Sequence, residues 1–169
     1  MSQWVDQLKG NIPDYAKDIR LNIDAVIKRS SLSQDEAEYV ALAAAFATGN
    51  HKLWTWIQSQ LNNSQEALAA ITAASLMAQN NIYYPYTEMV NNAFTGMPAN
   101  LRMNAISEHG GTTKEKFEAY SLAASIVGKC NFCVQAHFNT LKTSGYTLNQ
   151  LQDIGRIASI IVAVSKIMN

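Results

Sequence analysis

The stretch Phe117-Glu118-Ala119-Tyr120-Ser121-Leu122-Ala123-Ala124-Ser125-Ile126-Val127-Gly128-Lys129-Cys130-Asn131-Phe132-Cys133-Val134-Gln135-Ala136-His137 reads as two helices folded back on one another. Its first part is rich in Ala, Leu and Ile at helical spacing. Thr113 supplies a cap and Glu115 an acidic first turn, so a helix is expected from Phe117 to Val127, closed by Gly128. Its second part holds both cysteines of the chain. Positions 130, 133 and 137 share one face of a helix, so two sulfurs and an imidazole can meet there.

Outward from this hairpin the same signals recur. Ser33 and Glu36 make a capping-box pattern ahead of a helix over Ala37 to Thr48, with Gly49 as its stop. Ser64 with Glu66 opens Ala67 to Asn80. Thr147 and Gln150 form a further box, after which Leu148, Leu151, Ile154, Ala158, Ile161 and Ser165 trace one mostly apolar stripe. Gly145 separates this last helix from the one bearing the cysteines. With three prolines, eight glycines and no strand-like alternation, the chain is expected to be all-α. Glu38, Leu42, Ala43 and Ala44 recur 80 positions later as Glu118, Leu122, Ala123 and Ala124, so the fold is expected to be internally duplicated, over about 33–80 and 113–167. Only the second unit carries sulfur; the first has Asn50 and Leu53 where the second has Cys130 and Cys133. Asn80 to Tyr86 is expected to join the halves, its aromatics serving core, subunit interface or pocket wall, with core or interface favoured.

The chain has 169 residues, 48% hydrophobic and 15% charged, enough for one well-filled core, and a single domain over 1–169 is expected. Thirteen basic and thirteen acidic residues cancel, which argues against nucleic acid and against anionic membrane surfaces as partners. Asp6, Lys9, Asp14, Lys17 and Asp18 interrupt the stretch from Met1 to Arg20, unlike a signal peptide, and no later stretch has the length and apolarity of a membrane span. A cytoplasmic protein is expected, a setting in which close cysteines are more often catalytic, redox-sensing or metal-binding than structural.

Three readings of the cysteine pair follow from the residues alone. Structural zinc needs four ligands, and the chain has no second C-x-x-C to supply them. Two inert thiols are possible because buried Cys behaves as a small hydrophobe. Lys129 and a helix start favour thiolate and hence redox chemistry. Lowering a thiol pKa from about 8.5 to about 6.5 raises thiolate about 25-fold at pH 7, but a Brønsted slope near 0.45 returns about 8-fold in nucleophilicity. Proton supply therefore matters more, since a placed general acid contributes about 10²- to 10⁴-fold when a peroxide expels an alkoxide. If the two helices run antiparallel about Lys129, Cys133 lies opposite Ser125 and His137 opposite Ser121, with Glu118 within about one turn of His137. Glu118 is also the lone acidic residue between Glu115 and Asp153. The bland account makes it a solvated residue stabilised by the helix dipole. His51 and His109 read as surface or satisfied histidines, Trp54 and Trp56 as packing residues.

The residues resemble the alkylhydroperoxidase D (AhpD) family. Asn80-Asn81-Ile82-Tyr83-Tyr84, Leu101-Arg102-Met103-Asn104, Phe117-Glu118, Cys130-x-x-Cys133-x-x-x-His137 and Leu141-x-x-x-Gly145 carry the likeness. The resemblance implies an all-helical, duplicated subunit that forms a homotrimer and reduces organic hydroperoxides as an antioxidant enzyme. It implies Cys133 as the peroxidatic residue passing through sulfenic acid, Cys130 as resolving residue and proton donor, with a disulfide between them, and Glu118 and His137 as proton relay. It implies no tightly bound cofactor and no metal, a lipoyl dithiol as reducing co-substrate, and a lipoylated dehydrogenase-complex subunit and an AhpC-type peroxiredoxin as partners. Dipole grounds alone would make Cys130 the more acidic thiol. Where close family members have a histidine before the second cysteine, this chain has Phe132, which neither donates nor accepts a proton. That departure motivates an alternative, an electron-transfer adaptor with weak peroxidase activity. A decarboxylase-like relative on the same scaffold is a third reading, against which the paired cysteines speak.

Overall fold

The computed structural model describes residues 3–109 and 111–168. Met1 and Ser2, part of the amino-terminal stretch read above for a leader, lie outside that range, as do Gly110 and Asn169. The chain runs through α1 (Gln3–Gly10), α2 (Lys17–Ile23), α3 (Gln34–Ala47), α4 (His51–Gln60), α5 (Ser64–Met89), α6 (Ala105–Glu108), α7 (Lys114–Gly128), α8 (Asn131–Thr143) and α9 (Leu148–Ile167). A 3₁₀ turn precedes α2, and a π-helical turn over Asp24–Lys28 follows it. No strand occurs among the described residues, so the fold is all-α.

At the centre α7 packs against α3, α5, α8 and α9. Alanines allow that crowding: Ala41, Ala43 to Ala45 on α3, Ala69, Ala70, Ala73 and Ala74 on α5, and Ala119, Ala123 and Ala124 on α7 are all fully buried. Short side chains let helix axes approach, and larger groups such as Phe117, Tyr120, Leu122 and Met77 fill the remaining space. Trp4 of α1 meets Trp56 of α4 edge to face at 6.3 Å and fastens the amino-terminal helix to this bundle.

Local signals set most helix starts. Ser33 accepts the Glu36 N–H, Thr113 the Lys116 N–H, and Thr147 with Gln150 makes a complete capping box. Glu36 does not close its own box, because its buried carboxylate takes the Tyr146 hydroxyl instead. Helix α5 is capped by Asn63, one residue before the expected Ser64, whose side-chain oxygen accepts from Gln65 and Glu66. In the α9 stripe Leu148 is exposed, the other five positions buried.

Two expectations give way to tertiary contacts. The segment from Asn80 to Tyr86 is no connector; it lies inside α5, which continues through Pro85 to Met89. Proline there removes a single backbone donor, a loss that the packing of a 26-residue helix tolerates. Gly128 does not end α7 by a left-handed turn. That conformation falls to Lys129, at φ 56°, while Gly128 stays helical because Asn81 occupies its side-chain space. A Cβ on Gly128 would sit 2.0 Å from Asn81 Nδ2, the group that donates to the Ala124 carbonyl at 3.1 Å. The glycine thus joins α5 to α7.

The helices before and after the middle of the chain run in parallel order. Caps at Ser33 and Asn50 precede α3 and α4, and caps at Thr113 and Cys130 precede α7 and α8, each 80 positions on. Leu53 and Ile57 are fully buried on α4 where α8 has Cys133 and His137.

Asp153 of α9 holds the chain ahead of α3, accepting from the Ser31 N–H at 2.7 Å and the Ser31 hydroxyl at 2.8 Å. Burial pushes its carboxyl up, but the Ser31 donors and Arg156 outweigh that and keep it below 3.8. A carboxyl whose pKa falls on folding adds stability above its unfolded value and loses it as pH drops. In urea unfolding the wild type is therefore expected to exceed Asp153→Asn by about 1.5–3 kcal/mol near neutral pH. That margin should shrink on acidification through pH 3.8; a margin independent of pH would show that the charge contributes nothing. Gly128→Ala is expected to cost about 1–3 kcal/mol by displacing Asn81. An unchanged thermal midpoint would mean that Asn81 moves aside freely.

Candidate active site

Cys130 is the N-cap of α8, and its Sγ accepts the Cys133 N–H at 3.2 Å. One helical turn sets the two Cα atoms 5.3 Å apart, and the sulfurs are joined as a disulfide. The turn leading into it is short. Lys129 N–H bonds to Ile126 O and Cys130 N–H to Ser125 O, so α8 starts two residues after α7 ends and returns along it. Cys130 is fully enclosed, with Sγ 4.0 Å from the Asn80 carbonyl, and Cys133 is 3% exposed. What little access exists is to Cys133. The sulfurs are bonded to each other, so they are not two inert apolar side chains.

One turn further along α8, His137 Nδ1 lies 2.6 Å from Glu118 Oε2, both residues buried. The bland account of Glu118 as a solvated helix-start residue does not hold. Glu118 meets His137 about one turn from the register position of Ser121, as the antiparallel count anticipates. Ser121 and Ser125 bury hydroxyls that have no hydrogen-bond partner among the described residues. In the first half of the chain Glu38 accepts from Gln34 instead.

The other ring nitrogen of His137, Nε2, is 3.1 Å from Met77 Sδ, and a thioether has no hydrogen to give. The imidazole thus lies between the Glu118 carboxyl group and a sulfur that can only accept. Met77 is the site residue that sequence reading does not find: it sits 60 positions upstream in an alanine-rich helix, in no motif, and only packing of α5 against α8 brings it near.

Phe132, half exposed, stacks on Tyr84 with ring centroids 4.3 Å apart and planes at 23°. Together with Tyr83, Thr87, Phe94 and Met97 they line a cavity of about 280 Å³. Tyr83 and Tyr84 of the Asn80 to Tyr86 segment thus form part of a pocket wall, while Tyr86 is 47% exposed. His51 is exposed beside Trp54, and His109 accepts the Gly111 N–H at 3.1 Å and packs on Phe117, both away from the cysteines. Trp54 and Trp56 pack partly buried on the core. No cluster of three or more His, Cys, Asp or Glu able to hold a metal occurs among the described residues. No described helix is long and apolar enough to cross a membrane.

A bonded sulfur pair at a helix start, one turn from a buried carboxyl group and imidazole in contact, defines a thiol-redox protein on an all-helical scaffold. Comparison with known proteins points to the same class. The carboxymuconolactone decarboxylase family model matches residues 92–169, the part that holds Glu118, both cysteines and His137. The alkyl hydroperoxide reductase AhpD of Coxiella burnetii (strain RSA 493 / Nine Mile phase I) is 40% identical over 166 residues, covering 94% of this chain and 93% of the relative. Those of Rhodospirillum centenum, at 38% over 98% of this chain and 90% of the relative, and Hyphomonas neptunium, at 40% over 97% and 93%, are similar along their whole lengths. The chain belongs to the AhpD family.

Met77→Leu keeps the volume and removes the acceptor. Nitrogen-15 NMR of His137 is expected to show the Nε2 resonance displaced in the variant, because the sulfur beside it is gone. An unchanged Nε2 resonance would show that Met77 does not act on the ring.

Proposed function

We propose that the protein is an antioxidant alkyl hydroperoxide reductase, and the observation that carries this reading is the Cys130 and Cys133 pair one turn from the buried contact of Glu118 with His137. In the reduced protein the Cys133 thiolate attacks the terminal oxygen of ROOH; the O–O bond breaks, and Cys133 becomes a sulfenic acid. The departing alkoxide takes a proton from the relay and leaves as ROH. Cys130 then attacks the Cys133 sulfur, the S–O bond breaks, and the hydroxyl departs as water with the Cys130 proton. The sum is ROOH plus two thiols giving ROH, water and a disulfide. A dithiol of lipoyl type closes the cycle by thiol exchange, becoming the disulfide itself.

The greater access of Cys133 supports it as the attacking sulfur, against the dipole argument for Cys130. The cap bond from the Cys133 N–H suits Cys130 to the resolving role, because it stabilises negative charge on that sulfur. We place the activity in a single domain in which α3 and α4, with Leu53 and Ile57 at the corresponding positions, are structural. A homotrimer fits an apolar stripe on α5, where Ile82, Tyr86 and Met89 are 72%, 47% and 79% exposed. The cytoplasm, a lipoylated dehydrogenase subunit and an AhpC-type peroxiredoxin complete this reading by family resemblance.

A second reading has a specific observation behind it. Phe132 stacks on Tyr84 and brings no proton to the sulfurs, which suits an electron-transfer adaptor between a lipoylated subunit and a peroxiredoxin. Turnover of an organic hydroperoxide with reduced lipoamide distinguishes the two. The reductase is expected to turn over alone, and Cys133→Ser to abolish it. Glu118→Gln and His137→Gln, with retained helicity, are expected to slow turnover by about 10²- to 10⁴-fold. After one equivalent of hydroperoxide, mass spectrometry should show loss of two hydrogens in the wild type and gain of one oxygen in Cys130→Ser. Wild-type rates in Cys133→Ser would remove the proposed mechanism.

A further inference from the structure

We propose that the cavity beside Phe132 is the binding site for the organic group of the hydroperoxide, and that it selects neutral hydroperoxides bearing an aryl ring over small or anionic ones. The inference rests on the reductase reading and names its substrate class. Phe132 immediately precedes Cys133 on α8, so the cavity it lines flanks the first turn of the helix that carries both cysteines, of which Cys133 is the one with any exposure. At 100° per residue, Tyr83, Tyr84, Thr87 and Glu88 occupy one side of α5, and the exposed stripe of Ile82, Tyr86 and Met89 the opposite side.

The lining decides the guest. Rings from Tyr83, Tyr84, Phe94 and Phe132 present π faces and edges, which favour a flat aromatic partner over an equally apolar but globular one. Stacking on Tyr84 fixes the Phe132 ring in place before any ligand arrives, so little rotamer freedom is lost on binding. A volume of about 280 Å³ lies at the small end for ligand pockets, room for one ring with a short branch. Glu88, exposed at the rim, is the one charged lining residue, and its carboxylate opposes a substrate carboxylate. The hydroperoxide oxygens then extend past Phe132 towards Cys133. Exchange of a proton-active ring for phenylalanine at this position thus trades a relay group for a recognition surface.

The test uses the full chain. Oxidised wild-type protein is titrated with 2-phenyl-2-propanol, the alcohol left by cumene hydroperoxide, and aromatic resonances are followed by NMR; shifts at Phe132 and Tyr84 are expected. In turnover, Phe132→Leu is expected to lower the ratio of kcat/KM for cumene over t-butyl hydroperoxide by about 3- to 10-fold, the size of one aromatic contact. Most of the change should lie in KM for the cumene substrate. Glu88→Gln is expected to raise turnover of a fatty-acid hydroperoxide relative to its methyl ester. An unchanged ratio in Phe132→Leu, or alcohol that leaves Phe132 and Tyr84 unmoved, overturns the proposal. Wild-type protein that reduces neither hydroperoxide removes the reductase reading instead, and the alcohol titration still decides whether the cavity binds an aryl group.

Discussion

The buried bond between Glu118 and His137 is the constraint on which the catalytic hairpin depends. A carboxylate and an imidazole withdrawn from water are costly unless each meets the other, and breaking such a pair costs about 3–5 kcal/mol. That cost sets the register of α8 against α7. Had α8 slipped by one residue, the imidazole would leave the face that meets Glu118, and the cysteines would rotate away with it. The pairing proposed as the proton relay is therefore the same pairing that aims the sulfurs.

A comparison within the chain shows what the scaffold needs when no chemistry is asked of it. Asn50 caps α4 through its side-chain oxygen, as Cys130 caps α8 through sulfur. Leu53 and Ile57 fill the places of Cys133 and His137. Apolar groups there pack without partners, whereas the α8 versions require Glu118 from α7, Met77 from α5 and the Asn80 carbonyl nearby. At these positions the half that bears the cysteines buries polar groups where its counterpart buries apolar ones.

Much of this was legible in the sequence because the signals are local. Caps at Ser33, Thr113 and Thr147, and the shared face of Cys130, Cys133 and His137, depend on residues within two turns of one another. Glu118 was reachable because an antiparallel hairpin with a short turn leaves few registers. The unread features are those in which distant helices overrule a local rule. Pro85 reads as a breaker, yet tertiary packing carries α5 through it. Gly128 reads as a stop, yet its missing side chain is space for Asn81, 47 positions earlier. Met77 has no neighbour in sequence that hints at an imidazole, and Phe132 reads as the loss of a relay group until Tyr84 and Phe94 are seen beside it.

Containment of both cysteines in the first turn of one helix bears on how a partner can tell a spent molecule from a fresh one. With the sulfurs joined, the backbone that spaces them is already the regular start of α8, and the amide of Cys133 points at the Cys130 sulfur. Opening and closing the bond then needs side-chain rotation and no rearrangement of the bundle. An electron donor would meet much the same outer shape at every stage, so discrimination must come from the sulfur chemistry at contact rather than from a change of form.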